Sequence, residues 1–223
     1  ESDMCGNALR CIALHVHRRT GEQEFTLESG AGLHQARILE GAGPGALVEV
    51  ELGAPRFATN EIPFAPAAAE QEPFGVGFLE QVRPQTAEEA AGSDARAVTL
   101  SMGNPHLVLF VDDADAAPLE ELGPVLEHHG AFPRRANNEF VSPDGEDRLY
   151  QRTFERGSGE TLSCGSGACA VHVAAVLTGR AGAVGKIRVR GGELELEWRG
   201  SLTDEMPVLM RGPARVVFEG RVA

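Results

Sequence analysis

The sequence predicts a mixed α/β (α+β) protein built from two related half-domains, and two observations carry that reading. A Cys-Gly-polar tripeptide that opens a helix with a glycine stop occurs twice, at Cys5-Gly6-Asn7 and at Cys164-Gly165-Ser166, 159 positions apart. After each copy the chain gives a strand, a glycine turn and a second strand. It then reaches a third apolar strand, VEVELGAP in the first copy and PVLMRGPA in the second. One supersecondary unit therefore appears twice, which is a duplication and not a solenoid.

The elements follow in order. Apolar positions 9, 12, 13 and 16 suit a helix, with Arg18 and Arg19 in its last turn and Gly21 just beyond. EFTLE (24–28) alternates as a strand, 29–32 is a turn, 33–39 a strand, 41–45 a turn and 46–52 another strand. Residues 56–95 are rich in Pro, Ala and Glu and read as a linker and surface loop, with a short strand near 74–82. Strands are expected at 96–101 and 107–111, with a turn at 102–106 between them. Residues 118–129 are helical by pattern, with Leu119, Leu122, Val125 and Leu126 on one face. Residues 138–141 and 148–155 flank a Pro-Asp-Gly turn and read as a hairpin. A glycine-rich turn carrying Glu155, Arg156 and Glu160 then leads into the second helix, and KIRVR, Gly191-Gly192 and ELELEW form the second hairpin.

Composition bounds the function. The chain has 223 residues, 42% hydrophobic, enough to bury a sizeable core. A net charge of −13 argues against a nucleic-acid partner. The sequence shows neither an apolar run of the roughly 18 residues a membrane helix needs nor a basic stretch leading into a secretory signal. The expectation is a cytoplasmic protein without a membrane partner. Because the first residue is Glu1, four positions before Cys5, the chain is also expected to lack its natural start.

Four cysteines carry the chemical interest: Cys5, Cys11, Cys164 and Cys169. The spacings, C-x5-C and C-x4-C within apolar segments, do not match zinc pairs, and a disulfide framework does not suit a chain this long without a secretory signal. Cys11 and Cys169 fall on apolar helix faces and read as small buried hydrophobes. His15 and His172, on the two matching helices, read as hydrogen-bonded structural histidines. Cys5 and Cys164 stand at helix N-termini, where free N–H groups and the positive end of the helix dipole hold anions. A thiol there is expected to ionise below the roughly 8.5 of a free cysteine.

Two facing half-domains would bring Cys5 and Cys164 to one cleft. One as thiolate removes a proton from carbon, and the other as thiol returns a proton to the opposite face. N–H groups at the two helix N-termini would stabilise the carbanion through an α-carboxylate, so the scheme requires no metal or cofactor. Neighbouring thiols of this kind titrate as a pair.

The chain resembles the diaminopimelate epimerase family. MCGNALRC at 4–11 is similar to that family's MCGNGxRC, and SMGNPH, RANNEF, FERGSGET and CGSGACA match its further blocks in order, up to the C-terminal GPARVVFEG. The resemblance implies that Cys5 and Cys164 are the acid/base pair and that Gly6, Asn7, Gly165 and Ser166 hold the reacting α-carboxylate. It implies that Asn104, Asn137, Glu155 and Arg156 bind substrate, with Arg156 forking onto a carboxylate, and that His106 supports the reacting centre. The implied fold is two pseudo-symmetric halves, each a curved, mostly antiparallel sheet around a central helix. Residues 1–55 completed by 212–223 would form the first half and 56–211 the second. The implied protein is a cofactor-independent homodimer acting on the small molecule diaminopimelate in lysine and peptidoglycan precursor synthesis. Ala8 departs from the family's usual Gly, and the family carries further N-terminal strands and substrate-binding residues ahead of this point. A proline or hydroxyproline racemase on the same duplicated fold, and a non-catalytic fragment, are the alternative readings.

Overall fold

A computed structural model describes residues 5–42, 44–71 and 83–221. The strand expected near 74–82 lies outside the described residues, as does Met4 of the first motif.

The first copy of the repeat is α1 (Gly6–Thr20), β1 (Glu24–Ser29), β2 (Gly32–Ala42) and β3 (Gly45–Glu51). α1 buries Gly6, Leu9, Arg10, Ala13 and Leu14, a stripe of helical spacing, against β2, β3 and the last strand of the chain. It ends where Gly21 takes φ 78° and donates its N–H to the carbonyl of His17, with His17, Arg18 and Arg19 in the last turn. The stripe predicted from 9, 12, 13 and 16 is therefore rotated. Ile12 is exposed, and so is Cys11, contrary to its expected place in the core. His15 is exposed as well and has no buried structural role.

The middle of the chain forms α2 (Pro66–Gln71), β4 (Gln85–Thr86), α3 (Ala87–Ala90), β5 (Ala97–Ser101), β6 (Pro105–Phe110), α4 (Leu119–Glu127), β7 (Asn137–Pro143), β8 (Arg148–Glu155) and β9 (Gly159–Thr161). The short helices fall in the stretch read as linker. α3 is set by a capping box, in which Thr86 and Glu89 satisfy each other's backbone N–H. Pro105 and His106 belong to β6 and not to the preceding turn, because a proline fits the first position of a strand. On α4, Leu119, Leu122 and Leu126 are buried while Val125 faces out. The second copy is α5 (Gly165–Leu177), β10 (Val184–Val189), β11 (Gly192–Glu197) and β12 (Leu209–Arg215).

The duplication is visible in the sheet. Strand order runs β1-β2-β3-β12-β11-β10-β8-β7-β6-β5-β4, with β9 added on β8. The first six strands form two antiparallel meanders joined back to back by the antiparallel β3–β12 pair, from Glu51↔Leu209 to Gly45↔Arg215. Arg211 clamps this seam, reaching Glu49, Glu195 and Glu197 at 2.7, 2.8 and 2.9 Å. β12 pairs with both β3 and β11, so the boundary expected at 212 falls inside a strand.

The two helices differ in surroundings. α5 is buried from Gly165 through Ala175, and its small side chains let β5 to β8, β10 and β11 close around it. One apolar core runs from α1 and β1–β3 through β10–β12 to α5, and includes the fully buried Trp198. A second lies between α4, Phe132 and the other face of β6 and β7, through Leu107, Leu109 and Phe140. No helix among the described residues is long and apolar enough to cross a membrane.

Candidate active site

Both candidate cysteines are helix N-caps in extended conformation, Cys5 with φ −146° and ψ 93° and Cys164 with φ −111° and ψ 110°. Each carbonyl accepts the first intrahelical bond, from Leu9 N–H at 3.1 Å and from Ala168 N–H at 2.9 Å. The equivalence visible in the sequence is thus a structural equivalence. The two helix N-termini also meet. A methyl group on Gly165 would lie 3.4 Å from Gly6 Cα and 3.4 Å from Asn7 Oδ1, so the backbones touch where each cysteine ends. Asn7 Nδ2 donates to the Ser163 carbonyl at 3.1 Å, and Arg10 Nη2 holds Asn7 Oδ1 at 3.0 Å.

Around Cys164 the polar groups form one chain. Gly167 N–H donates to the Cys164 sulfur at 3.3 Å, and Ser166 Oγ stands 3.5 Å from it. Asn104 Nδ2 donates to Ser166 Oγ at 3.4 Å, and Asn104 Oδ1 lies 3.0 Å from His106 Nε2. His106 Nδ1 lies 2.9 Å from Glu139 Oε1. Glu139 also accepts from Gln151 Nε2 at 2.8 Å and Thr153 Oγ1 at 2.5 Å. Asn104, His106, Ser166 and Cys164 are therefore gathered in one place. His172 on the far part of α5 is buried and bonded to the Ala183 carbonyl, and burial pushes its pKa down.

The Glu155-Arg156 pair ends β8 in a pinned turn. Asn137 Oδ1 accepts from Arg156 N–H at 2.8 Å, and Glu127 accepts from Gly157 N–H at 2.9 Å. Asn137 Nδ2 faces the Pro105 carbonyl at 3.4 Å, so both of its polar atoms have protein partners. Arg156 Nη1 donates to the Arg134 carbonyl at 3.2 Å. Thr161 Oγ1 donates to Glu155, whose carboxyl is pushed above the ordinary range by burial. Glu160, the third charge of this turn, has a structural role: it forms a two-point ion pair with Arg152 at 2.9 and 3.1 Å and a second with Arg190.

One electrostatic expectation is overturned. The Cys164 thiol is pushed well up, not down: burial removes water from the sulfur, and the carboxylates of Glu139 and Glu155 add repulsion. The hydrogen bonds from Ser166 and Gly167 favour the thiolate but are outweighed. Cys5, by contrast, is exposed.

A cavity of about 840 Å³ lies elsewhere, beside the C-terminal part of α5, lined by His172, Arg180, Lys186 and Asp147 among others. Its lining contains no cysteine and no member of the polar chain above. Among the described residues no three His, Cys, Asp or Glu side chains converge as metal ligands.

The diaminopimelate epimerase family model matches residues 98–217. The chain is 43% identical to the diaminopimelate epimerase of Leptospira biflexa over 99% of its own length and 75% of that protein. It is 41% identical to that of Moorella thermoacetica over 99% and 74%. The chain belongs to the diaminopimelate epimerase family. In fold, this family member is also similar to a solved hydroxyproline epimerase from Agrobacterium vitis, with TM-score 0.62 and 14% identity over 93% of this chain and 63% of that one. That likeness bears on the fold alone: an α+β architecture with a large curved sheet.

Three residues packed around this candidate site escaped the sequence reading. Arg10 lies on the buried stripe of α1, where its spacing with Gly6, Leu9 and Ala13 gives a usable signal. Glu139 sits in NNEFV, a strand buried on both faces, where a lone carboxylate needs donors. Glu127 gives no such signal, because its partner Gly157 comes from a distant turn.

Proposed function

We propose that this protein is a cofactor-independent isomerase that interconverts LL- and meso-2,6-diaminopimelate, with Cys5 and Cys164 as the two proton carriers. The observation that carries the reading is the meeting of two cysteine-capped helix N-termini at Gly6 and Gly165. Family membership supplies the substrate.

In this scheme one sulfur, as thiolate, takes the α-proton. The electron pair passes to the α-carbon and its carboxylate, which the N–H groups of Gly6, Asn7, Gly165 and Ser166 would hold. The other sulfur gives its proton to the opposite face, and the two sulfurs end with their protonation exchanged. Asn104 orients Ser166 and, with Glu155 and Arg156, grips the rest of the substrate. Asn137 acts on the same grip by holding the Arg156 backbone. His106 supports Asn104 from behind. Residues 1–55 with 212–223 and residues 56–211 would be the two facing halves, and the working form a cytoplasmic homodimer.

The second reading, a proline or hydroxyproline racemase, shares the fold. The Arg156 turn favours a substrate with a second polar end. A stereochemical screen of LL-diaminopimelate, L-proline and trans-4-hydroxy-L-proline decides between them. Inversion of diaminopimelate alone is expected, and inversion of only the cyclic amino acids would overturn the assignment.

A further inference from the structure

We propose that Glu139 is a positioning residue for Cys164, acting through His106, Asn104 and Ser166 and keeping that cysteine in its proton-donating form between turnovers. The proposal rests on the two-thiol reading above. Glu139 is fully buried on β7 and is held by three donor side chains, His106, Gln151 and Thr153. Its carboxylate occupies the space beside Gly167, so closely that a methyl group there would collide with it. Gly167 is the residue whose N–H bonds the Cys164 sulfur. The carboxylate is thus packed against the peptide that holds the sulfur, and it also anchors the polar chain that ends at the sulfur.

Among the described residues, the charged and titratable groups around Cys164 are His106 on β6, Glu139 on β7, Glu155 at the end of β8, and Cys5 at the neighbouring helix N-terminus. Both carboxylates disfavour a thiolate at Cys164, and burial acts in the same direction. Substrate carboxylate and carbanion develop negative charge next to a sulfur that already carries its proton, the state required of the donor. Glu139 touches neither substrate nor sulfur in this scheme, so its effect is read through the sulfur.

The test is the pH dependence of Cys164 alkylation by iodoacetamide, followed on the purified chain by peptide mass spectrometry. It needs no turnover, so it can fail independently of the epimerase reading. Glu139→Gln removes the charge and is expected to alkylate about tenfold faster below the thiol midpoint. Thr153→Val keeps the charge but strips it of a donor, and is expected to slow alkylation. Loosened packing would accelerate both variants, so opposite signs separate the electrostatic role from a structural one. Acceleration in both variants, or wild-type rates in both, would overturn the proposal. If Glu139→Gln does not fold, slower alkylation in Thr153→Val supports the proposal and unchanged or faster alkylation overturns it.

Discussion

Asn7 Nδ2 donates to the Ser163 carbonyl at 3.1 Å, tying the second residue after one candidate cysteine to the residue just before the other. The bond spans the two copies of the repeat and fixes the spacing of the helix N-termini. Arg10 holds the other end of the Asn7 amide. It is buried with no carboxylate partner among the described residues, its Nε has no hydrogen-bond partner there, and burial lowers its pKa.

Arg10 therefore separates stability from activity. Arg10→Met keeps the volume and removes a buried, incompletely paired cation, so stability should be unchanged or rise by about 1 kcal/mol. Release of Asn7 should lower kcat more than about tenfold, the equivalent of one charge-assisted hydrogen bond. Urea midpoints and steady-state rates measure the two effects. A large loss of stability with full activity would contradict this role.

Gly167→Ala tests the packing beside Cys164. The added methyl meets the Glu139 carboxylate, which three donors hold in place. Overpacking of this kind costs about 1–3 kcal/mol. A thermal melt should show the loss, and activity should fall with it. A wild-type melting temperature would mean that Glu139 is freer than its contacts indicate.

Buried thiols set an alkaline limit. Burial raises the pKa of both Cys164 and Cys169 above the unfolded value. Above about pH 8.5 the unfolded chain loses these protons while the folded chain keeps them, so stability falls as pH rises. Below that pH the two thiols contribute no slope. Cys169→Ala should flatten the decline of the urea midpoint between about pH 8.5 and 10. An identical slope in the variant would mean that Cys169 plays no part in the decline.

The Arg156 turn predicts a binding defect. Asn137→Ala leaves the half-buried Arg156 N–H without its acceptor, a loss of about 1 kcal/mol. Displacement of the Arg156 grip should raise KM by about tenfold or more, the fold-change that 1.4 kcal/mol makes, with a smaller effect on kcat. A change confined to kcat would place Asn137 with the proton-transfer groups instead.

Much of this arrangement is legible in the sequence because the repeat is local. The cysteine, the glycine after it and the helix stop are neighbours in the chain, so Cys5 and Cys164 can be paired as N-caps by pattern alone. The hairpins follow from alternation and glycine turns, as at Ser29↔Gly32 and Val189↔Gly192. What pattern cannot give is the environment created by long-range contacts. The close packing around α5 buries the Cys164 sulfur and brings Glu139 up to Gly167; burial first, with repulsion from Glu139 and Glu155 added to it, reverses the expected ionisation of Cys164. Cys11 looks buried because its neighbours are apolar, yet the stripe of α1 turns on Arg10 and leaves it outside.

The mechanism stands on two different thiols acting on opposite faces of one carbon. Epimerisation of LL-diaminopimelate in deuterium oxide, with product and recovered substrate analysed at low conversion, separates those faces. Deuterium is expected at the inverted carbon of the meso product and none in the recovered LL form, because each face has its own proton carrier. Cys5→Ala and Cys164→Ala should each lose about 10²–10⁴ of the rate, the usual contribution of a positioned acid or base. Equal labelling of product and recovered substrate, or full activity in either variant, would refute the two-thiol mechanism.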